Sequence, residues 1–284
     1  MENTAVLLVQ CHDRKGLDAT IAEFIYRYDG NILHFEQHQA GEPRYFLARV
    51  EWELDGFRLN MKDFDGAFGP IAQKFGMNWC IALGNYRPRV AIFVSKYDHC
   101  LVDLLYRQRN GELACDFPLI ISNHSDIKGH ADFYGVPFHL LPMTKETKPQ
   151  VEAQQLELLA ANNIDLVVLA RYMQVLSSDF IAQFPMPIIN IHHSFLPAFI
   201  GAKPHHQAYE RGVKLIGATA HYVTEILDDG PIIEQSIARI SHRDSLEDLV
   251  EKGRDLEKMV LSRAVRWHIE NRILLYKNKT IIFE

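Results

Sequence analysis

Apolar positions recur along this chain with two kinds of patterning, and the change between them divides it. "AVLLVQCHD" near the start predicts a strand. In "KGLDATIAEFIYRYDG", Leu17, Ile21, Phe24 and Ile25 fall at helical spacing, and Gly30 suits the end of the helix. "NILHFEQHQ" and "RYFLARVEWEL" predict strands either side of the turn sequence "AGEP". "NMKDFDGAFGPIAQKFG" predicts a second helix, weakened by Gly66 and Gly69, and "NWCIALG" returns as a strand. A βαββαβ order of this kind implies a ferredoxin-like antiparallel sheet with helices on one face.

"NYRPR" punctuates the chain, and the pattern then changes. The runs "RVAIFVS", "DFPLIIS", "GVPFHLLP", "IDLVVLA" and "PIINIHH" read as strands. "CLVDLLYRQRN" and "QVEAQQLELLAANN" read as helices between them. Continuous apolar strands alternating with helices imply a doubly wound, mostly parallel sheet covered on both faces. Ligands in such sheets lie beyond the carboxyl ends of the strands. A long helix follows in "DSLEDLVEKGRDLEKMVLSRAVRWHIEN", with Leu246, Leu249, Val250 and Leu256 as its apolar stripe. The expected organisation is a first domain over 1–84, a linker at 85–88 and a second domain over 89–284.

Composition narrows the function classes. With 284 residues and 48% hydrophobic content, the chain can bury two cores. A net charge of −6 and no basic block argue against nucleic-acid binding. No apolar run is long enough to span a bilayer, and "MENTAVLLVQCHD" lacks the features of a secretory signal. The four cysteines, Cys11, Cys80, Cys100 and Cys115, form no C-x-x-C pair and suggest reduced thiols in a cytoplasmic protein.

The candidate chemistry sits at the end of "PIINIHH". Asn190 and His192 are two apart on a strand, so they point to one side at its carboxyl end. An amide and an imidazole aimed together can stabilise the oxyanion formed when a carbonyl is attacked. "GATAHYVTEILDDGPIIEQ" supplies Glu225, Asp228 and Asp229 in a loop. A carboxylate beside His192 would favour its charged form and could relay protons to and from water. The pairs His192-His193 and His205-His206 lack the spacing of a zinc site, so no metal is expected. Ser194 has no G-x-S-x-G elbow around it and is not read as a nucleophile. Spacing alone therefore reaches an α/β enzyme of carbonyl chemistry.

"NIHHSFLPAF" resembles the N-I-H-x-S-x-L-P signature of the 10-formyltetrahydrofolate-dependent formyltransferases, and "HYVTEILDDGPII" resembles their H-x-V-x-x-x-x-D-x-G-P-I signature. The resemblance implies that Asn190 and His192 hold the formyl oxygen, that Asp228 moves protons and that His221 supports the folate loop. It also implies a pterin cleft beside "LARYMQVLS" and "TEILDDG". Arg171, Met173, Gln174, Val175, His221 and Glu225 are then the substrate-binding positions. Glycinamide ribonucleotide transformylases hold a phosphate in a glycine-rich loop after the first strand, but no glycine occurs here between Ser95 and Asn110. Methionyl-tRNA formyltransferases carry a further C-terminal tRNA-binding domain, for which this sequence leaves no room.

The wording "VSKYDHCLVDLL", "ARYMQVLS", "HHSFLPAFIGAKPHHQAYERGVKLIGATAHYV" and "NKTIIF" resembles the formyltetrahydrofolate deformylases, and the first domain resembles an ACT domain. That likeness implies hydrolysis of 10-formyltetrahydrofolate to formate and tetrahydrofolate, supplying formate to purine and one-carbon metabolism. No separate cofactor is implied, because the folate is the substrate. The alternative is formyl transfer to an amine such as glycinamide ribonucleotide. "CHDRKGL" matches the D-x-x-G-L turn of ACT domains, which places a candidate amino-acid effector site at Asp13, Gly16 and Leu17. A homo-oligomer formed through both domains is expected, with neither a nucleic-acid nor a membrane partner.

Overall fold

The first strand, β1 (Thr4–His12), is apolar on both faces, so each face needs its own cover. The structure is a computed structural model describing residues 3–197 and 204–283. One cover comes from α1 (Leu17–Arg27) and α2 (Phe64–Phe75), whose Leu17, Ile21, Phe24, Phe64 and Phe68 pack on Ala5, Leu7 and Val9. β2 (Asn31–Ala40), β3 (Tyr45–Glu53) and β4 (Asn78–Leu83) complete an antiparallel sheet of order β2-β3-β1-β4. This is the ferredoxin-like βαββαβ arrangement that the alternation predicts, and it agrees with the ACT resemblance. Gly16, at φ 91, lets the chain turn from β1 into α1 in a conformation that suits glycine.

The sheet of the second unit is built on β5 (Arg89–Val94), which is buried from Val90 onward. After α3 (His99–Arg109) come β6 (Asp116–Ser122), α4 (Lys128–Tyr134), β7 (Phe138–Leu140), α5 (Lys148–Ala161) and β8 (Leu166–Leu169). Next are α6 (Ser178–Gln183), β9 (Ile188–His192), α7 (Pro204–Arg211), β10 (Leu215–Tyr222), β11 (Ile232–Arg239) and α8 (Leu246–Ile269). The strand order is β11-β10-β9-β8-β5-β6-β7. From β9 to β7 every pair is parallel, whereas β10 runs antiparallel to β9 and β11 antiparallel to β10. β5 and β6 lead to one side and β8 and β9 to the other, so the carboxyl ends of β5, β8 and β9 open where the winding reverses. Periodicity does not predict the short helices α4, α6 and α7 or the strand β11.

The chain ends in a hairpin, β12 (Ile273–Tyr276) and β13 (Lys279–Ile282). The sequence reading places these residues with the second domain. In the structure the two compact units are Met1–Tyr86 with Glu270–Glu284, and Arg87–Ile269. Leu274 and Phe283 of the tail pack on Val6, Leu8 and Leu47, the face of the first sheet that its helices leave bare. Arg49 fixes the approach, donating from Nε to the Asn271 carbonyl at 3.1 Å. Among the described residues no helix is long and apolar enough to cross a membrane.

Candidate active site

Strand register assembles the polar cluster. β9 and β10 pair Asn190 with His221 and Thr219 with His192, so these four side chains form a block on two strands. His221 Nδ1 lies 2.9 Å from the Tyr222 carbonyl, which can only accept, so Nδ1 carries the proton. Nε2 of that tautomer is an acceptor, and Asn190 Nδ2 donates to it at 3.1 Å. The amide of Asn190 is thereby oriented, with one N–H left over among the described residues. Thr219 pins the turn after β9: its hydroxyl donates to the Ser194 carbonyl at 2.9 Å and accepts from Leu196 N at 3.0 Å. Gln235 Nε2 adds a bond to the Leu196 carbonyl at 3.1 Å.

Asp228 reaches the same block from the loop after β10. Its Oδ2 is 3.3 Å from His192 Nδ1, and its Oδ1 is 3.7 Å from His221 Nε2. The hydrogen bond from His192, ahead of the influence of the neighbouring His221 imidazole, outweighs burial and holds the carboxyl well below the usual range. Asp228 takes φ 56, a left-handed conformation that Asp tolerates better than most residues. Two residues on, Gly230 is obligatory in a different way: a Cβ there would overlap the Tyr222 carbonyl oxygen. With Asp228 facing its Nδ1, His192 presents Nε2, which is buried and makes no hydrogen bond among the described residues.

These groups line a cleft of about 540 Å³. Met173, Gln174 and Val175 from one loop and Glu225, Ile226 and Leu227 from another form part of its wall. Met173, Val175, Ile226 and Leu227 are each more than half exposed, an apolar patch of the kind that marks a ligand groove. The first loop is fastened from below. Met173 N donates to Ser95 Oγ at 3.0 Å, Lys148 Nζ to the Val175 carbonyl at 2.6 Å, and Ser177 N to Glu152 Oε1 at 2.9 Å.

Arg171 begins that loop, but its side chain has other company. The guanidinium lies over the Tyr97 ring, 5.1 Å from the centroid, with Nε 3.4 Å from Glu257 Oε2. His99 Nε2 sits 2.8 Å from the same carboxylate, and His205 Nε2 lies 4.0 Å from Oε1. Burial pushes Glu257 up, yet the His99 hydrogen bond and the Arg171 charge prevail, and its carboxyl lies below the ordinary value. His193 is pushed down to about 3 by burial and then by Arg171. Periodicity does not reveal this cluster. Val250, Arg254 and Glu257 share one face of α8 at helical spacing and line the cleft, and only that polar interruption of an apolar stripe hints at them.

His99, Cys100 and Glu257 bring three ligand atoms within 4.8 Å of one another. Arg171 beside the carboxylate, and a Cys100 thiol that burial raises well above its ordinary value, disfavour a dication there. In the first unit, Asp13, Gly16 and Leu17 lie at the β1–α1 junction. Asp13 accepts from Gln39 Nε2 at 3.1 Å, Gly16 precedes the helix and Leu17 is buried. Residues 198–203, part of the stretch carrying the family resemblance, lie outside the described residues.

Comparison with known proteins adds to this geometry. The formyl transferase family profile matches residues 88–265. A formyltetrahydrofolate deformylase of Synechocystis sp. is 56% identical over 284 residues, covering 100% of both chains. The chain belongs to the formyltetrahydrofolate deformylase family. It is therefore an enzyme of that family, with an ACT-like domain before a formyltransferase-fold domain. A crystal structure of a formyltetrahydrofolate deformylase from Pseudomonas syringae pv. tomato superimposes with a TM-score of 0.97 at 44% identity, over 100% of this chain and 95% of that one. A glycinamide ribonucleotide transformylase from Symbiobacterium toebii gives a TM-score of 0.66 at 31% identity. It covers 71% of this chain and 96% of its own. Family membership thus spans the full length, while the likeness to the transformylase spans a part.

Proposed function

We propose that this deformylase-family enzyme hydrolyses 10-formyltetrahydrofolate, and that Asn190, His192 and Asp228 carry the reaction. The observation that supports it best is the convergence in a single apolar-rimmed cleft of an amide N–H and an imidazole nitrogen that have no partner among the described residues, together with one ionised carboxylate. The pterin lies between the loop of Met173, Gln174 and Val175 and the loop of Glu225, Ile226 and Leu227. The formyl oxygen faces the spare N–H of Asn190 and Nε2 of His192, which donates in its doubly protonated form with Nδ1–H on Asp228.

Water attacks the formyl carbon. A carboxylate with a low proton affinity is a weak base towards free water. Asp228 therefore takes its proton late, as the forming C–O bond makes the water acidic. Two donors stabilise the tetrahedral oxyanion, each worth about 3–4 kcal/mol of barrier when preorganised. Asp228 returns the proton to N10, the C–N10 bond breaks, and tetrahydrofolate leaves with formic acid, which ionises. Water rather than an amine as acceptor is supported by the segment after β5, which has no glycine between Ser95 and Asn110 to cradle a phosphate.

The test mixes enzyme with 10-formyltetrahydrofolate and no amine, and follows formate and tetrahydrofolate together. Equal release of both, lowered by orders of magnitude in Asp228→Asn with little change in folate binding, is expected. Release only after glycinamide ribonucleotide is added would make the enzyme a transferase instead.

A further inference from the structure

Beyond His192 the cleft ends in the charged cluster of Arg171 and Glu257, which the hydrolysis above does not use. Arg171 holds φ 61, a conformation costly for a residue with a long side chain. Its backbone is held there, because its carbonyl accepts from Ser95 N at 3.3 Å while Ser95 Oγ accepts from Met173 N at 3.0 Å. That constraint aims a guanidinium into the cleft wall. Its Nε and Nη1 are buried, and neither makes a hydrogen bond among the described residues. Open donors on a buried cation are expensive unless an acceptor arrives.

Glu257 is only a partial partner. It stands 3.4 Å from Arg171 Nε without hydrogen-bond geometry, and its closer bond is to His99 at 2.8 Å. The cluster is continuous with the reaction site. The His193 ring lies 5.3 Å from His192 and 6.1 Å from His205, and Gly253 of α8 gives up its side chain to make room for the His205 imidazole. A second guanidinium, Arg254, lies 5.9 Å from the Tyr97 centroid. Next to the place where a formyl carbon is attacked lie cationic N–H groups with no acceptor among the described residues, and guanidinium N–H groups match a carboxylate.

We propose that the Arg171 end of the cleft is a docking site for a small monocarboxylate, and that its ligand is the formate released by hydrolysis. Formate moves there without covalent change, its oxygens accepting from the open N–H groups of Arg171. The identity of the ligand rests on the deformylase reading; the site itself rests on Arg171. Occupancy makes formate a product inhibitor that binds beside the folate instead of in its place.

The experiment titrates ¹³C-formate into the full-length enzyme without folate and follows its line width, with inhibition by sodium formate measured in parallel. Wild type is expected to bind saturably. Arg171→Gln should weaken binding about tenfold or more, the usual loss for a charge-assisted pair. Glu257→Gln should tighten it, because the competing anion is gone; a merely misfolded variant cannot do so. Non-saturable binding to wild type, or equal affinity in wild type and Arg171→Gln, overturns the proposal. Arg171-dependent formate binding by an enzyme that releases no formate from 10-formyltetrahydrofolate would sink the hydrolase reading and leave the site standing.

Discussion

Asn190 and His221 face each other across β9 and β10, and the amide of one donates to the ring nitrogen of the other at 3.1 Å. Since the proton on His221 is fixed at Nδ1 by the Tyr222 carbonyl, the direction of this bond is fixed as well. In the proposed mechanism His221 therefore acts through Asn190 as a positioning residue. His221→Phe removes the acceptor and lets the Asn190 amide turn. The expected result is a fall in kcat of about tenfold to a hundredfold, less than the 10²–10³ typical of losing an oxyanion donor outright. KM should hardly move. Steady-state kinetics decide, and a variant with unchanged kcat would show that Asn190 needs no such guide.

Gly230 offers a test of how Asp228 is delivered. A Cβ there meets the Tyr222 carbonyl oxygen, a backbone atom that cannot swing aside. Tyr222 N also bonds to the Pro231 carbonyl at 2.9 Å, which closes the loop tightly. Gly230→Ala should cost about 1–3 kcal/mol of stability through overpacking and should also displace Asp228. Thermal unfolding and turnover measured on one preparation are expected to fall together. Full turnover at a lowered Tm would mean the loop tolerates the shift without moving the carboxylate.

Much of this architecture is legible in the chain because its signals are local. The strand and helix periods, the change at Asn85–Arg89, and the spacing of Asn190 and His192 each fit within a short window. The partners of those residues are not local. His221 meets Asn190 only through strand register, so the sequence suggests a folate-loop role while the structure pairs it with Asn190 and Asp228. Arg171 reads as part of a pterin loop, but its left-handed backbone sends the guanidinium to Tyr97 and Glu257. "ILLYKNKTIIF" reads as the end of the second domain, yet the apolar face it covers belongs to Val6, Leu8 and Leu47, more than two hundred residues earlier.

Acid should weaken the fold through its enclosed imidazoles. Burial pushes His268, whose Nδ1 lies 2.8 Å from the Tyr222 hydroxyl, from 6.5 down to about 4, and His193 down to about 3. Below pH 6.5 the unfolded chain takes up protons at these positions while the folded chain does not. Protons therefore favour unfolding, and stability should fall as pH drops from 6.5 towards 4. Asp228 acts lower: its stabilising pairs persist above the ordinary 3.8 and are lost only as pH falls beyond that. Melting temperature measured across this range should decline in wild type and decline less steeply in His268→Gln. Parallel profiles for the two proteins would exclude His268 as a source of the slope.

The loop of Met173, Gln174 and Val175 is held by α5, and this separates binding from chemistry. Glu152 is buried, and its two oxygens accept from Ser177 N at 2.9 Å and Ser177 Oγ at 2.5 Å. Lys148, one turn earlier on α5, holds the Val175 carbonyl at 2.6 Å. Glu152→Ala leaves the Ser177 amide without its acceptor and costs about 1–3 kcal/mol. In the proposed mechanism no reacting group lies on this loop, so the loss should appear in KM for 10-formyltetrahydrofolate, raised about tenfold, with kcat nearly unchanged, the signature of lost uniform binding. Glu152→Gln keeps an acceptor for Ser177 N and should recover most of the loss. A lower Tm in Glu152→Ala with KM unaltered would mean that Glu152 supports the fold alone and that the pterin does not rest on this loop.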